Sequence, residues 1–134
     1  MKEFIFRCEM EVRDYECDLQ GVVNNSVYQN YLEHTRHCYI KSIGIDFAEL
    51  KEKGIYLMVK RVEIDYQAPL KSGDKFISAL RMERISPLRF GFVQHIYRIP
   101  DNRLMIKALV IGTAVNEQGR PELPPELVKV WGIE

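Results

Sequence analysis

The stretch Asp18-Leu-Gln-Gly21-Val-Val-Asn24-Asn25-Ser-Val-Tyr28-Gln-Asn-Tyr31-Leu-Glu33 places an acidic residue on a glycine-containing loop that runs straight into a strongly patterned segment. From Ser26 to about Ile43 the apolar positions Val27/Tyr28, Tyr31/Leu32, Thr35, Cys38/Tyr39 and Ile43 recur at helical spacing. Asn25 or Ser26 can cap the start of this helix and Gly44 its end. The pattern predicts one long amphipathic helix. A carboxylate facing the backbone N–H groups of a helix start combines a base or nucleophile with a site that stabilises an oxyanion. That combination is hydrolase equipment.

Before the loop, Phe4 to Val12 alternates, with Phe6, Cys8, Met10 and Val12 on one face and Arg7, Glu9 and Glu11 on the other, which predicts a half-buried strand. After the helix, a shorter helical pattern from Asp46 to Lys53 ends at Gly54. Alternating segments near Tyr56–Tyr66, Lys75–Ile85, Arg89–Arg98 and Leu104–Val115 then follow, separated by turn residues around Pro69–Asp74, Ser86–Leu88 and Pro100–Arg103. Such short connections cannot carry parallel crossovers, so the last four strands are expected to be hairpin-linked and antiparallel. Leu127, Val130 and Trp131 fit a short terminal helix.

One strand, one long helix and a four-strand meander predict an α+β domain in which a curved antiparallel five-stranded sheet wraps the central helix. The 134 residues suffice for one such domain, spanning 1–134, and for burial of about two-thirds of the unfolded surface. A five-stranded sheet has two edges to cover, and pairing between copies covers one of them, so at least a dimer is expected. Charge is balanced, 19 Lys plus Arg against 19 Asp plus Glu, which gives no general attraction for nucleic acid or for an anionic membrane. Cys8, Cys17 and Cys38 are odd in number and lack CxxC spacing, which points to a reducing compartment, and the cytoplasm is the expected location. The N-terminus reaches charge within a few residues and lacks the apolar run of a signal peptide.

The order of elements, together with Val12-Arg13-Asp-Tyr15-Glu-Cys-Asp18-Leu-Gln-Gly21-Val-Val-Asn24-Asn25-Ser-Val-Tyr28-Gln-Asn-Tyr31-Leu-Glu33-His-Thr-Arg36, resembles the hotdog-fold acyl-CoA thioesterases of the 4-hydroxybenzoyl-CoA thioesterase type. Ile64-Asp65-Tyr66, Pro69 and Gly73-Asp74 are similar to the family's strand, turn and Gly-Asp pair. The resemblance implies hydrolysis of an acyl-CoA thioester at a site shared by two subunits, in a homodimer or a homotetramer built as a dimer of dimers. It assigns Asp18 as nucleophile on the thioester carbonyl or as general base on water, Gly21 as the loop glycine, and Asn25 as the residue whose N–H polarises the carbonyl. Many members carry a histidine at the position of Asn25 and others at that of Val22; this chain has neither.

The chemistry agrees in outline. A thioester has a reactive carbonyl and a good leaving group, so one positioned carboxylate and carbonyl polarisation, each contributing roughly 10²–10³-fold, serve without a metal or redox cofactor. The plain alternative for Asp18 is a loop aspartate set by turn geometry and the helix dipole. Tyr15 is a candidate for the acyl pocket. Tyr28 also stands as a substrate-binding candidate, although Tyr28 and Tyr31, nearly one turn apart, read first as core. Glu33 reads as a solvated helix carboxylate. Lys60, Arg61, Arg89 and Arg120 are candidates for the CoA phosphates, with scattered surface charge as the alternative. His34, His37 and Cys38 share a helix surface, but no second cluster completes a four-ligand zinc set. His95 reads as a packed or surface histidine, and no serine-hydrolase triad is visible. Two other functions remain open, an acyl carrier protein thioesterase and a non-catalytic acyl-CoA-binding module; a hotdog dehydratase would need a histidine on a proline-rich loop.

Overall fold

The computed structural model describes residues 3–134, except for the side chain of Phe47; Met1 and Lys2, which begin the charged N-terminus, lie outside the described residues. Strand β1 (Phe6–Glu11) shows the expected alternation, with Phe6, Cys8 and Met10 half-buried and Arg7, Glu9 and Glu11 exposed. Helix α1 (Asn25–Ser42) buries Tyr28, Tyr31, Leu32, Thr35, Tyr39 and Ile40, one continuous stripe at three- and four-residue intervals.

The cap of α1 differs from expectation. Asn24, not Asn25 or Ser26, is the capping residue, and its side-chain oxygen accepts the Ser26 N–H at 3.4 Å. The cause lies outside the helix: the Asn24 N–H is held by the Glu16 carbonyl at 3.1 Å, which keeps Asn24 in the extended loop. At the other end the Gly44 N–H donates to Lys41 O at 3.0 Å and the Ile45 N–H to Ile40 O at 3.2 Å. These two bonds make a Schellman stop, and Gly44 supplies its left-handed residue at φ 82°.

Helix α2 (Phe47–Glu52), capped by Asp46, precedes strands β2 (Tyr56–Tyr66), β3 (Lys75–Ser86), β4 (Arg89–Ile99) and β5 (Arg103–Val115), and α3 (Pro125–Val130) closes the order. The sheet is antiparallel throughout, in the order β1-β3-β4-β5-β2. The hairpin expectation holds for β3, β4 and β5 and fails for β2, which pairs with β5 at the opposite edge from β1. Residues 67–74 cross the start of α1 instead of turning back. Their backbone groups are satisfied there: Gln67 N–H donates to Met105 O at 2.9 Å, Leu70 N–H to the Tyr28 hydroxyl at 2.9 Å, and Gly73 N–H to Val12 O at 3.0 Å.

The sheet curls around α1, and the core lies along the helix in two clusters. Tyr28, Tyr31 and Leu32 meet Leu70, Phe76 and Ile106 near its start. Tyr39 and Ile40 meet Leu80, Phe90, Phe92 and Trp131 near its end. Leu127 and Trp131 pack as expected, whereas Val130 is 44 % exposed and Val128 takes its place, because positions 127, 128 and 131 share one side of a 3.6-residue turn. Among the described residues no helix is long and apolar enough to cross a membrane.

Candidate active site

Between β1 and α1 the chain makes a short 3₁₀ turn at Asp14–Glu16 and then a closed loop. Cys17 and Val23 pair as an antiparallel bridge, the Asp18 N–H donates to Val22 O at 2.9 Å, and the Gly21 N–H donates to Asp18 O at 3.0 Å. Gly21 adopts φ 80°, a left-handed conformation that would strain a residue with a Cβ. Within this loop one carboxylate oxygen of Asp18, Oδ1, accepts the Gln20 N–H at 2.8 Å and the Val22 N–H at 3.4 Å. Among the described residues the second oxygen makes no hydrogen bond. Asp18 is therefore oriented by the turn itself and exposed.

A cavity of about 440 Å³ opens beside it, lined by Asp18, Asn24, Asn25 and Tyr28 from the loop and helix start and by Tyr66 to Pro69 from the crossover. Asn25 is the first residue of α1, so its N–H is one of those an α-helix leaves without an intrahelical acceptor. The first residue of α1 and a loop carboxylate thus line one cavity. Tyr28 serves both core and site: it is 2 % exposed, meets the Tyr66 ring edge-on at 5.6 Å, and accepts the Leu70 N–H. Burial pushes its phenol above the ordinary tyrosine range, with the Leu70 bond acting in the opposite direction.

The remaining sequence candidates lie elsewhere in the chain. Tyr15 is 80 % exposed, because the inward side of its turn is occupied by Glu16. Lys60 and Arg89 share a different cavity, of about 320 Å³, with Ser86, Pro87 and Thr113, while Arg61 lies 3.5 Å from Glu63. Arg120 sits in an exposed turn. Glu33 is exposed at the rim of a third cavity, about 230 Å³, with Arg36, His37, Phe90 and Phe92. His34 Nε2 stands 3.4 Å from Cys38 Sγ, and among the described residues no three His, Cys, Asp or Glu side chains gather as a metal site. His95 is half-buried and hydrogen-bonds the Tyr97 hydroxyl at 2.9 Å. Of the crossover wall, the sequence offered only Tyr66 and Pro69, as part of the resemblance to the family's strand and turn. Glu16, which bonds Arg13, Tyr31 and Asn24, carried no sequence signal beyond its place two residues before Asp18.

A curved five-stranded sheet around one helix, with a loop carboxylate at the helix start, defines the hotdog thioesterase class. The chain belongs to the thioesterase-like superfamily, whose family model matches residues 12–131. It is 36% identical over 129 residues to a chloroplastic acyl-acyl carrier protein thioesterase of Arabidopsis thaliana, covering 96% of this chain and 67% of that protein. The chain thus spans about two-thirds of the length of the plant relative. It is 31% identical over 100 residues to a Bacillus subtilis protein provisionally named an acyl-CoA thioesterase, covering 75% of this chain and 72% of that one. Among solved structures, the 1,4-dihydroxy-2-naphthoyl-CoA thioesterase of Synechocystis superposes with a TM-score of 0.85 at 19% identity, covering 92% of each chain, a likeness of fold. The chain is accordingly an enzyme of the thioester hydrolase type.

Proposed function

We propose that this protein hydrolyses an acyl-CoA to the free acid and CoA, with Asp18 as the reacting carboxylate and the Asn25 N–H polarising the thioester carbonyl. The observation that carries the reading is the single cavity onto which Asp18 and the first turn of α1 both open, walled by residues 66–69. As nucleophile, Asp18 adds to the carbonyl carbon, the C–S bond breaks, CoA leaves as thiolate, and water cleaves the resulting anhydride to return the carboxylate. As general base, it takes a proton from water that attacks the same carbon, and the departing thiolate is protonated. A single turnover in ¹⁸O water identifies the nucleophilic route when water opens the anhydride at the Asp18 carbonyl carbon, because only then does unlabelled enzyme oxygen enter the first acid released.

The carrier has a second reading. The plant relative is named for acyl carrier protein substrates, and its match covers more of this chain than does that of the Bacillus protein. The test is thiol release from a panel of acyl-CoA and acyl carrier protein thioesters, run with wild type and Asp18→Asn. The asparagine keeps an oxygen to accept the Gln20 and Val22 N–H groups, so the loop stays in place while the reacting oxygen is lost. The expected loss in kcat is about 10²-fold or more. Near-full activity in a folded Asp18→Asn protein moves the chemistry elsewhere, and silence across both panels favours a binding module.

The reading includes pairing of two copies along β2. This strand is an edge whose residues Met58, Val59, Val62 and Tyr66 are 48 %, 52 %, 37 % and 48 % exposed, an apolar surface of the kind a second sheet edge covers. Tyr66 belongs both to that strand and to the Asp18 cavity, so such a dimer would complete the site. In this arrangement cations of the second copy, rather than those of the same chain, would approach the CoA phosphates.

A further inference from the structure

We propose that Glu16 and Tyr31 form a tie that holds the loop carrying Asp18 in register with the start of α1, which makes both of them positioning residues for thioester cleavage. The inference rests on the reading of Asp18 given above. Neither residue lines the Asp18 cavity, so their effect must pass through the loop.

The tip of that loop is held by bonds within its own turn, which fix its shape but not its place on the fold. Asp18, Leu19, Gln20 and Gly21 are all exposed, and Leu19 is 107 % exposed. The position of the carboxylate is therefore set by the base of the loop. On the crossover side the base is fixed by main-chain bonds, with Val23 N–H donating to Leu70 O at 2.9 Å and Val22 bridging to Lys71. On the helix side Glu16 does the holding. Its Oε1 accepts the Tyr31 hydroxyl at 2.8 Å and the Arg13 N–H at 2.8 Å, its Oε2 lies 3.5 Å from Arg13 Nη1, and its carbonyl accepts the Asn24 N–H. One residue thus joins the chain leaving β1, the cap of α1 and the second turn of α1.

The geometry gives this tie weight. The Glu16 side chain is only 11 % exposed, and a hydroxyl donating to a carboxylate out of water is a charge-assisted bond, stronger than a neutral one. Tyr31 is itself immobile, 4 % exposed, with its ring 4.8 Å from Phe76 and its carbonyl accepting Thr35 Oγ1 at 2.8 Å. Burial and the Glu16 carboxylate both hold its phenol far above the ordinary tyrosine range, so it remains a donor at every working pH. A catalytic group that drifts by about 1 Å loses on the order of 10²-fold in rate, while substrate affinity, set by other walls, changes little.

The test uses the intact chain in three variants, Tyr31→Phe, Glu16→Gln and Asp18→Asn, with turnover and site-resolved amide exchange measured on each. Tyr31→Phe deletes one oxygen and is expected to lower kcat about 10-fold with KM within about twofold. Exchange at the Asp18 and Val23 amides should rise about 10-fold while the interior of α1 is unchanged. Glu16→Gln retains an oxygen that can accept from both Tyr31 and Arg13, and is expected to keep kcat within about threefold of wild type. Unchanged kcat in Tyr31→Phe, a change confined to KM, or faster exchange spread over the whole helix overturns the proposal. If Glu16→Gln is as impaired as Tyr31→Phe and its loop exchange stays slow, the tie is likewise refuted. Full activity of Asp18→Asn alongside fast loop exchange in Tyr31→Phe would sink the reading of Asp18 and leave the tie standing.

Discussion

Removing the Tyr28 hydroxyl tests how the crossover is held over the helix start. In Tyr28→Phe the ring remains packed against Tyr31 and Tyr66, while the Leu70 N–H loses the acceptor that stands 2.9 Å away. Leu70 is 0% exposed, so water cannot replace that acceptor without opening the segment. A buried donor left unsatisfied costs about 1–3 kcal/mol. With an unfolding entropy of about 2.1 cal/mol/K per residue over 134 residues, or about 0.28 kcal/mol/K, this lowers Tm by about 4–11 °C. Thermal unfolding followed by circular dichroism at fixed protein concentration reads the shift, and Tyr66→Phe is the control. Tyr66 is 48 % exposed, and the same deletion there should move Tm by no more than about 2 °C. A Tyr28→Phe protein that melts within about 2 °C of wild type would refute the account of the crossover as held by this bond.

Gly112→Ala is expected to destabilise by about 1–3 kcal/mol, because a Cβ there would stand 2.8 Å from the Phe90 ring and 2.9 Å from the Met58 carbonyl oxygen, and the backbone contact cannot rotate away. Urea denaturation checks it, and an unchanged midpoint would contradict the close approach of β2 to β5. His95 gives a pH signature: burial, then Lys107 and Arg81, hold its imidazole below the usual 6.5, beside the Tyr97 hydroxyl. The unfolded chain therefore binds the proton first, and stability contributed by neutral His95 is lost as pH falls below about 6.5 towards the folded value. Between pH 7.5 and 5.5 wild type should lose more Tm than His95→Gln, and parallel curves would count against this cause.

What could be read in the sequence was what repeats locally. The strands were legible because alternation in Phe6–Met10 and in the later segments has a period of two, and α1 because Tyr28, Leu32, Thr35 and Tyr39 recur along one stripe. The neighbour of β2 was not legible. Its alternation says that it is a strand, and nothing in it says whether β3 or β5 supplies the hydrogen bonds; that is decided by residues 67–74 crossing α1. The cap was ambiguous because Asn24, Asn25 and Ser26 are all competent, and the choice depends on a bond from Glu16, eight positions earlier. At the site, Asp18, Asn25 and Tyr28 were recognisable and do share a cavity, whereas Tyr15 was chosen for its nearness to Asp18 and the cations for the places where the resemblance puts nucleotide contacts, and neither criterion specifies the direction of a side chain.

The strand order also dictates a sequence of assembly. Among the described residues β1 pairs only with β3, Phe6 opposite Leu80, so the first strand has no sheet partner until some seventy further residues have been made. The Asp18 loop, slung between β1 and α1, takes bonds from Leu70 and Lys71, and so cannot reach its final shape before the crossover is in place. Closing contacts this distant in the chain is the slow part of folding. During synthesis, then, α1 can form early while its apolar stripe and the β1 edge wait uncovered. The Asp18 loop belongs to the last structure gained and, by the same long-range bonds, to the first that a destabilised chain would surrender.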